Sequence, residues 1–510
     1  METPPNLAVR PHLSEPVDLD VEYPLQELSL RKLLVILWTQ DDVISAIQKF
    51  QCTSSPLDRM MIIWRNTVEI EVQRKILNIG LPSRLEKKMK ALVKPMGCDI
   101  LKWKLFHEHY FSHANGYMGL HFLKQLQWTK AGAIDYGKTA EKLIRLEMLD
   151  IVERYKIACF YCLSDDIPLL WEALPENTKS TFTNEDISSI ADAKLEYYWP
   201  YVLRNEEDDL ILKRISEDET PLYMWAFQTF TCLGNKPAVE YFYQKLPKGR
   251  EDACLFRAMK AIIESQEWFI TPEWSVTYPQ GRLSDVLCYI FPLMRIETQW
   301  HVLEHYTRGV LSCFLEWPCH DLFLKLADTI WEKFPSEEMY RHLLNTISNP
   351  GYYQYFPDLF QSFFIKTPAK FKKHFIDYEM CYLQYFQEFY NNGDAESIEV
   401  VFKNTEYHDK LRLIASRKFF NLFFNPSRSD RWHLAELCLI ESAYSEEDRE
   451  KMKKVIEGVL VGDGTTTFQN RKNALRQAFL FFFDVRKGRV VIKRRSPDKE
   501  RRVAKKMKKE

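Results

Sequence analysis

The residues best able to do chemistry form short, separate groups. His301-Val302-Leu303-Glu304-His305 fits the pattern H-x-x-E-H. On a helix, positions i and i+4 face the same way, so His301 and His305 could share a zinc with Glu304 beside them as base. The spacing assigns no third protein ligand, and a surface or seam helix accounts for the same residues. His107, His109, His113 and His121 make a second cluster, again with an i, i+4 pair at His109 and His113. Zinc binding and ordinary packed histidines are the two readings. Cys159-Phe160-Tyr161-Cys162 is C-x-x-C. A redox motif of that form opens a helix, where the dipole lowers the thiol pKa. Here it closes an apolar helix, so core packing is the expectation. No coherent catalytic set, cofactor site or metal site follows from these groups.

The remaining polar clusters read as surface. Glu206-Glu207-Asp208-Asp209 and Glu446-Glu447-Asp448 suit helix starts or solvated loops, or a cation. Gly462-Asp463-Gly464 follows a helix and not a strand, which makes it a linker and not a phosphate cradle. The C-terminus stands apart. From Arg486 onward there are 13 Lys/Arg against 3 Asp/Glu, so the rest of the chain is acidic, with 57 Lys/Arg against 68 Asp/Glu. Lys493, Arg494, Arg495, Arg501, Arg502, Lys505, Lys506, Lys508 and Lys509 are spaced clusters that suit an import receptor or nucleic-acid phosphates. Aromatic residues are missing after Phe483, which argues against base stacking.

The elements that must position these residues are helices. Glycine is scarce, 16 in 510, too few for a chain built of hairpins. Aromatics are 14%, which large rings in helix–helix seams explain without a ligand. The eleven cysteines sit mostly in apolar runs, as reduced, buried thiols do. The longest apolar runs, Leu33–Trp38 and Ala478–Phe483, are too short to span a bilayer, and the N-terminus has no run of signal-peptide form.

The clearest stretch is Leu126 to Pro175. Ile151, Tyr155, Ala158 and Cys162 step along one helical face. Ser164-Asp165-Asp166 turns, with Asp166 as the expected cap of a helix that Pro175 ends. The same grammar recurs over Thr220–Pro247, Ser312–Pro335 and Cys381–Phe402, with turns at Gly234-Asn235 and at Asn391-Asn392-Gly393-Asp394. Pro175 and Pro247 lie 72 residues apart, about two repeats of ~33 residues. Upstream, Asp42 is the expected cap of a short helix, and two helices are expected over Leu85–Val93 and Asp99–Ser112, each ending near Pro or Gly.

Thr220-Pro221-Leu222 with Ala226 resembles the ankyrin opening T-P-L-H-x-A, and Gly234-Asn235 through Tyr243 resembles the ankyrin second helix. Tyr223 replaces the capping histidine of that family. Trp128 to Trp171 is also similar to an uncharacterised arthropod group of degenerate ankyrin-like helical proteins. These resemblances imply an α-solenoid of antiparallel helix pairs that binds protein on a concave face. The expected organisation is a flexible arm over 1–24, a helical region over 25–125, a repeat array over 126–484 and a basic disordered tail over 485–510. The expected function is a non-enzymatic, cytoplasmic or nuclear scaffold with no membrane partner and no cofactor. The alternatives are a nuclear polyanion-associated protein using its tail and a zinc peptidase using His301, Glu304 and His305.

Overall fold

The computed structural model describes residues 15–50, 57–111, 120–147, 149–184, 194–207, 221–268, 281–334, 336–347, 356–423 and 432–442, together with 447, 448, 450, 451 and 454. Every regular element among them is helical. The exception to helix is one isolated antiparallel bridge between Trp128 and Ile134. The chain divides into two compact units, Met1–Leu359 and Phe360–Glu510. That division does not coincide with the boundary expected at 125/126. Asp99 accepts a buried hydrogen bond from the Ile134 backbone and so joins the two sides of it.

The first unit opens with α1 (Leu25–Trp38) and α2 (Asp41–Lys49), then α3 (Leu57–Trp64), a π-helical turn Arg65–Glu69, and α4 (Ile70–Ile79). Asp42 is not the cap of α2. Gln40 holds that position without a side-chain bond, and the Asp42 carboxylate pairs with Lys75 at 2.6 Å. The wide π turn places two successive residues, Val68 and Glu69, inside the core. Next comes α5 (Ser83–Phe111), one helix running through Pro95 where two were expected. Its buried residues Met89, Val93, Met96, Ile100, Trp103 and His107 keep a 4-3-4-3-4 step straight across the proline. Packing of an unbroken stripe outweighs the roughly 3 kcal/mol that an interior proline costs. Gly97 serves the same packing: a Cβ there would stand 3.1 Å from the Trp38 ring.

The unit continues through α6 (Leu120–Leu123), α7 (Tyr136–Leu143), α8 (Ile151–Phe160), α9 (Ile167–Ala173), α10 (Glu176–Asn184) and, after a 3-10 turn, α11 (Trp199–Arg204). Then follow α12 (Leu222–Leu233), α13 (Lys236–Gln244), α14 (Glu251–Trp268), α15 (Leu283–Ile290), α16 (Ile296–His305), α17 (Thr307–Cys313), α18 (His320–Lys333) and α19 (Glu337–Ile347). Asp150 and Asp135 cap their helices through their carboxylates. Asp166 occupies the cap position of α9 but makes no side-chain bond there.

One helix ending recurs. At Cys162, Asn205, Gly234 and Gly393 the backbone turns left-handed, with φ of 50°, 58°, 70° and 67°. At each, the next residue's N–H reaches back five residues: Leu163 to Ala158, Glu206 to Tyr201, Asn235 to Phe230 and Asp394 to Phe389, at 2.8–3.1 Å. This is the Schellman ending, which satisfies carbonyls the helix leaves open. Cys162 therefore lies past the end of its helix and not on its stripe. Both expected glycine turns are of this kind. After each, an Asx side chain caps the next helix, Asn235 from the Ala238 N–H and Asp394 from the Ser397 N–H.

The second unit begins within α20 (Pro357–Lys366) and adds α21 (Ala369–Asp377), α22 (Glu379–Asn392), α23 (Ala395–Lys403), α24 (Tyr407–Ala415), α25 (Arg417–Phe423) and α26 (Trp432–Ile440). Its core is largely rings. Phe360 packs on Tyr385 at 4.6 Å, Phe386 on Phe419 at 4.8 Å, and Phe419 on Phe423 at 4.8 Å between centroids. Tilted, edge and stacked contacts of this sort add about 0.5–1.5 kcal/mol per pair beyond area burial.

Two measurements test these local arguments. A Cβ on Gly393 meets nothing within 4 Å, whereas one on Gly234 would stand 2.7 Å from the backbone of Gly281 and Arg282. Gly393→Ala should cost about 1 kcal/mol in denaturant unfolding, from backbone strain alone. Gly234→Ala should cost about 3 kcal/mol or more. Separately, burial pushes the Glu69 carboxyl from 4.5 up to about 7, against the pull of Lys94 and Arg65. Folded Glu69 thus holds its proton where the unfolded chain has lost it. Stability is full below pH 4.5 and is lost as pH rises to about 7. Glu69→Gln should match wild type near pH 4.5 and exceed it by about 1–3 kcal/mol near pH 8.

Candidate functional site

The zinc-protease string lies on α16. The His301 and His305 rings stand 4.3 Å apart between centroids, and His305 Nδ1 donates to the His301 carbonyl at 3.1 Å. Partial burial and the neighbouring His305 push the His301 pKa down. Two imidazoles on one face make half a zinc site. Among the described residues, no group of three or more His, Cys, Asp and Glu is placed to hold a metal.

His107 is a satisfied core histidine. Its Nδ1 donates to the Trp103 carbonyl at 2.8 Å, which leaves Nε2 to accept from the Tyr161 hydroxyl at 2.7 Å. Burial drives its pKa down to about 3, so the ring is neutral. The side chains of His109 and His121, and all of His113, lie outside the described residues. Burial pushes the Cys159 and Cys162 thiols up, the opposite of a reactive thiol.

Within the acidic run, Glu207 accepts from the Tyr198 hydroxyl and pairs with Lys245 at 2.8 Å, while Glu206 pairs with Arg204 at 3.7 Å. The Lys245 ammonium lies over the rings of Tyr241 and Tyr223, at 5.1 and 5.4 Å. Glu447 pairs with Lys451 at 2.7 Å. Asp208, Asp209, Glu446, Gly462–Gly464 and the basic residues Lys493, Arg494, Arg495, Arg501, Arg502, Lys505, Lys506, Lys508 and Lys509 all lie outside the described residues.

The largest built polar arrangement was not anticipated. It surrounds the loop between α6 and α7, where Trp128 and Ile134 form the bridge and Thr129 donates to Ala133 at 2.8 Å. Side chains from other elements bond four further backbone groups of the loop. Arg31 on α1 donates to the Ala131 carbonyl at 3.0 Å, and Trp317 Nε1 to the Gly132 carbonyl at 2.9 Å. Asp99 on α5 accepts from the Ile134 N–H at 2.9 Å, and Arg282 donates to the Ile134 carbonyl at 3.1 Å.

Arg282 is the centre of this arrangement. It is 3% exposed. It also donates to the Trp317 carbonyl at 3.0 Å, and its Nε lies 3.2 Å from Asp285. Burial opposes its charge, but Asp285 and Asp99 outweigh that and raise its pKa above the ordinary value. Burial pushes the Asp99 carboxyl up to about 6, still ionised at neutral pH. A backbone crossing delivers Arg282 to this position: Gly281 N–H donates to the Leu233 carbonyl at 2.7 Å and Arg282 N–H to the Gly234 carbonyl at 3.1 Å. Nearby, Glu316 accepts from the Ser284 N–H at 3.0 Å and pairs with Lys102. Arg31 is held between the rings of Tyr23 and Trp317, at 4.0 and 4.4 Å.

A second segment is held in the same manner. Residues 15–24 were expected to form part of a loose arm. Instead Val17 is buried, its N–H donating to Gln299 Oε1 at 2.9 Å, and Trp300 Nε1 donates to the Glu15 carbonyl at 2.9 Å. Lys325 pairs with the Asp18 carboxylate and donates to the Asp20 carbonyl at 2.6 Å. Tyr23 donates to the Pro318 carbonyl at 3.2 Å. Proline content and weak periodicity carry no sign of these partners, which lie nearly three hundred residues away.

Compared with known proteins, the chain matches no family model and no curated protein.

Arg282→Met should destabilise the first unit by about 3–5 kcal/mol, because it leaves the buried Asp99 without its counter-charge and the Ile134 and Trp317 carbonyls without their donor. Asp99→Asn added to that variant should recover part of the loss, as a double-mutant cycle by urea denaturation would show.

Proposed function

We propose that the chain is a non-enzymatic scaffold, an α-solenoid of antiparallel helix pairs that binds another protein on a concave helical face. One observation carries this reading: side chains on its helices and on the turns that join them grip irregular backbone segments through their peptide groups. The 126–135 loop is held by Arg31, Asp99, Arg282 and Trp317, and the 15–24 segment by Gln299, Trp300 and Lys325. A helical surface that pairs with peptide carbonyls and N–H groups has the chemistry needed to hold a segment of another chain. The helix–turn–helix units at Gly234 and Gly393 supply the repeated element from which a solenoid is built.

A second reading concerns the tail. Its 13 Lys/Arg against 3 Asp/Glu favour an import receptor or a polyanion, which supports reading the chain as a nuclear, polyanion-associated protein. No helix among the described residues is long and apolar enough to cross a membrane.

Proximity labelling and pull-down with the full-length chain should each return the same saturable protein partner; a flat, unsaturable profile would overturn the scaffold reading. Deleting residues 486–510 should lower nuclear accumulation and nucleic-acid retention without disturbing that partner.

A further inference from the structure

The segment over residues 15–24 is bound as a ligand is bound. It contributes one buried apolar anchor, Val17, which is 7% exposed. Its backbone is read just before that anchor, by Trp300 Nε1 on the Glu15 carbonyl and by Gln299 Oε1 on the Val17 N–H. Gln299 is itself oriented, its Nε2 donating to the Met294 carbonyl at 2.9 Å. After the anchor comes an Asx turn, with the Asp20 N–H on Asp18 Oδ1 at 2.8 Å. Lys325 clamps that turn through the Asp18 carboxylate and the Asp20 carbonyl. A buried apolar anchor, backbone groups bonded before and after it and one cation facing an acidic turn are the parts of a peptide-recognition groove.

The receptor side sits on α16 and α18, helices that carry Gln299, Trp300 and Lys325. Trp300 is 5% exposed and packs on Phe334 at 6.2 Å, which holds in place the indole that donates to the Glu15 carbonyl. The tethered segment is distant in sequence, 282 residues between Val17 and Gln299.

We propose that this groove on α16 and α18 is a docking site for a short acidic peptide of a partner protein, with a β-branched anchor followed by Asp-x-Asp, and that residues 15–20 of the chain occupy it in cis. The inference deepens the scaffold reading and rests on it. The tether gives the chain's own segment an effective concentration of about millimolar, so it outcompetes a free peptide of similar intrinsic affinity. A partner must therefore present a higher local concentration or a better anchor, which makes the segment a built-in threshold. The Lys325 contact is partly exposed, so docking weakens as salt rises.

The test uses the full-length chain and a form lacking residues 1–20, with circular dichroism to show that both are folded. A labelled peptide of sequence SEPVDLDVE, identical to residues 14–22, is titrated by fluorescence anisotropy. The shortened chain should bind it, with an affinity at least tenfold greater than the intact chain. Lys325→Glu in the shortened chain should abolish binding, and Trp300→Phe should weaken it several-fold. Val17→Asp in the intact chain should raise peptide affinity toward that of the shortened form. Failure of the folded, shortened chain to bind the peptide would overturn the proposal, as would equal binding by both forms. Unfolding of both the shortened chain and Val17→Asp would overturn it too, because the segment would then be a fixed part of the core. None of these outcomes depends on partner capture, so the groove can fail while the scaffold reading stands.

Discussion

A guanidinium removed from water must find charge and carbonyl oxygen in its place, and the first unit is arranged around meeting that demand for Arg282. Its cost in isolation is several kcal/mol. It is met by two carboxylates and two backbone carbonyls, contributed by α5, the 126–135 loop, the first turn of α15 and the residue before Pro318. Each partner is thereby pinned relative to the others. The crossing of Gly234 and Gly281 sets the position of the arginine, and it exists because neither residue has a Cβ: a side chain on Gly281 would stand 2.6 Å from the Gly234 oxygen. Backbone contact this close fixes the geometry of a charge that the surrounding side chains then neutralise.

The second unit solves a different problem with different means. Its core lacks a comparable buried ion network among the described residues and relies on rings, with Phe386 meeting Phe389, Phe402, Phe419 and Phe423. Rings fill the wide seams between short helices, and their edges suit the uneven angles at which such helices cross. The Schellman ending followed by an Asx cap is common to both units. It lets one helix stop and another start within two residues while the open carbonyls and N–H groups stay bonded.

Function enters through what the polar side chains hold. Among the described residues, His107, His305 and Glu207 are bonded to carbonyls, hydroxyls or lysines, and burial pushes the Cys159 and Cys162 thiols away from reactivity. The side chains with the most developed geometry, Arg31, Asp99, Arg282, Gln299, Trp300 and Lys325, all address backbone groups. That direction of polar side chains at peptide groups, including those of residues 15–24, is the observation on which the scaffold proposal rests.

The sequence by itself determined the helical class and the local punctuation. Scarce glycine and period-3.6 stripes read correctly as helices, and Gly234-Asn235 and Gly393-Asp394 read correctly as turns, because these signals are local and depend on backbone sterics. Local rules failed where packing overrode them. Two helices are expected over Leu85–Val93 and Asp99–Ser112, yet α5 runs on through Pro95, because its buried face is unbroken. Cys162 was placed on a helix, yet it takes the left-handed position usually given to glycine. Asp42 was read as a cap and instead pairs with Lys75. The candidate site was less legible still. WTKAGAID and EPVDLDVEY contain no motif, and the residues that grip them lie up to 307 positions away in the chain. Which backbone groups a buried arginine or a groove lysine will meet is decided when distant helices come together, since a charge or a peptide group out of water takes whatever partner the packing brings within reach.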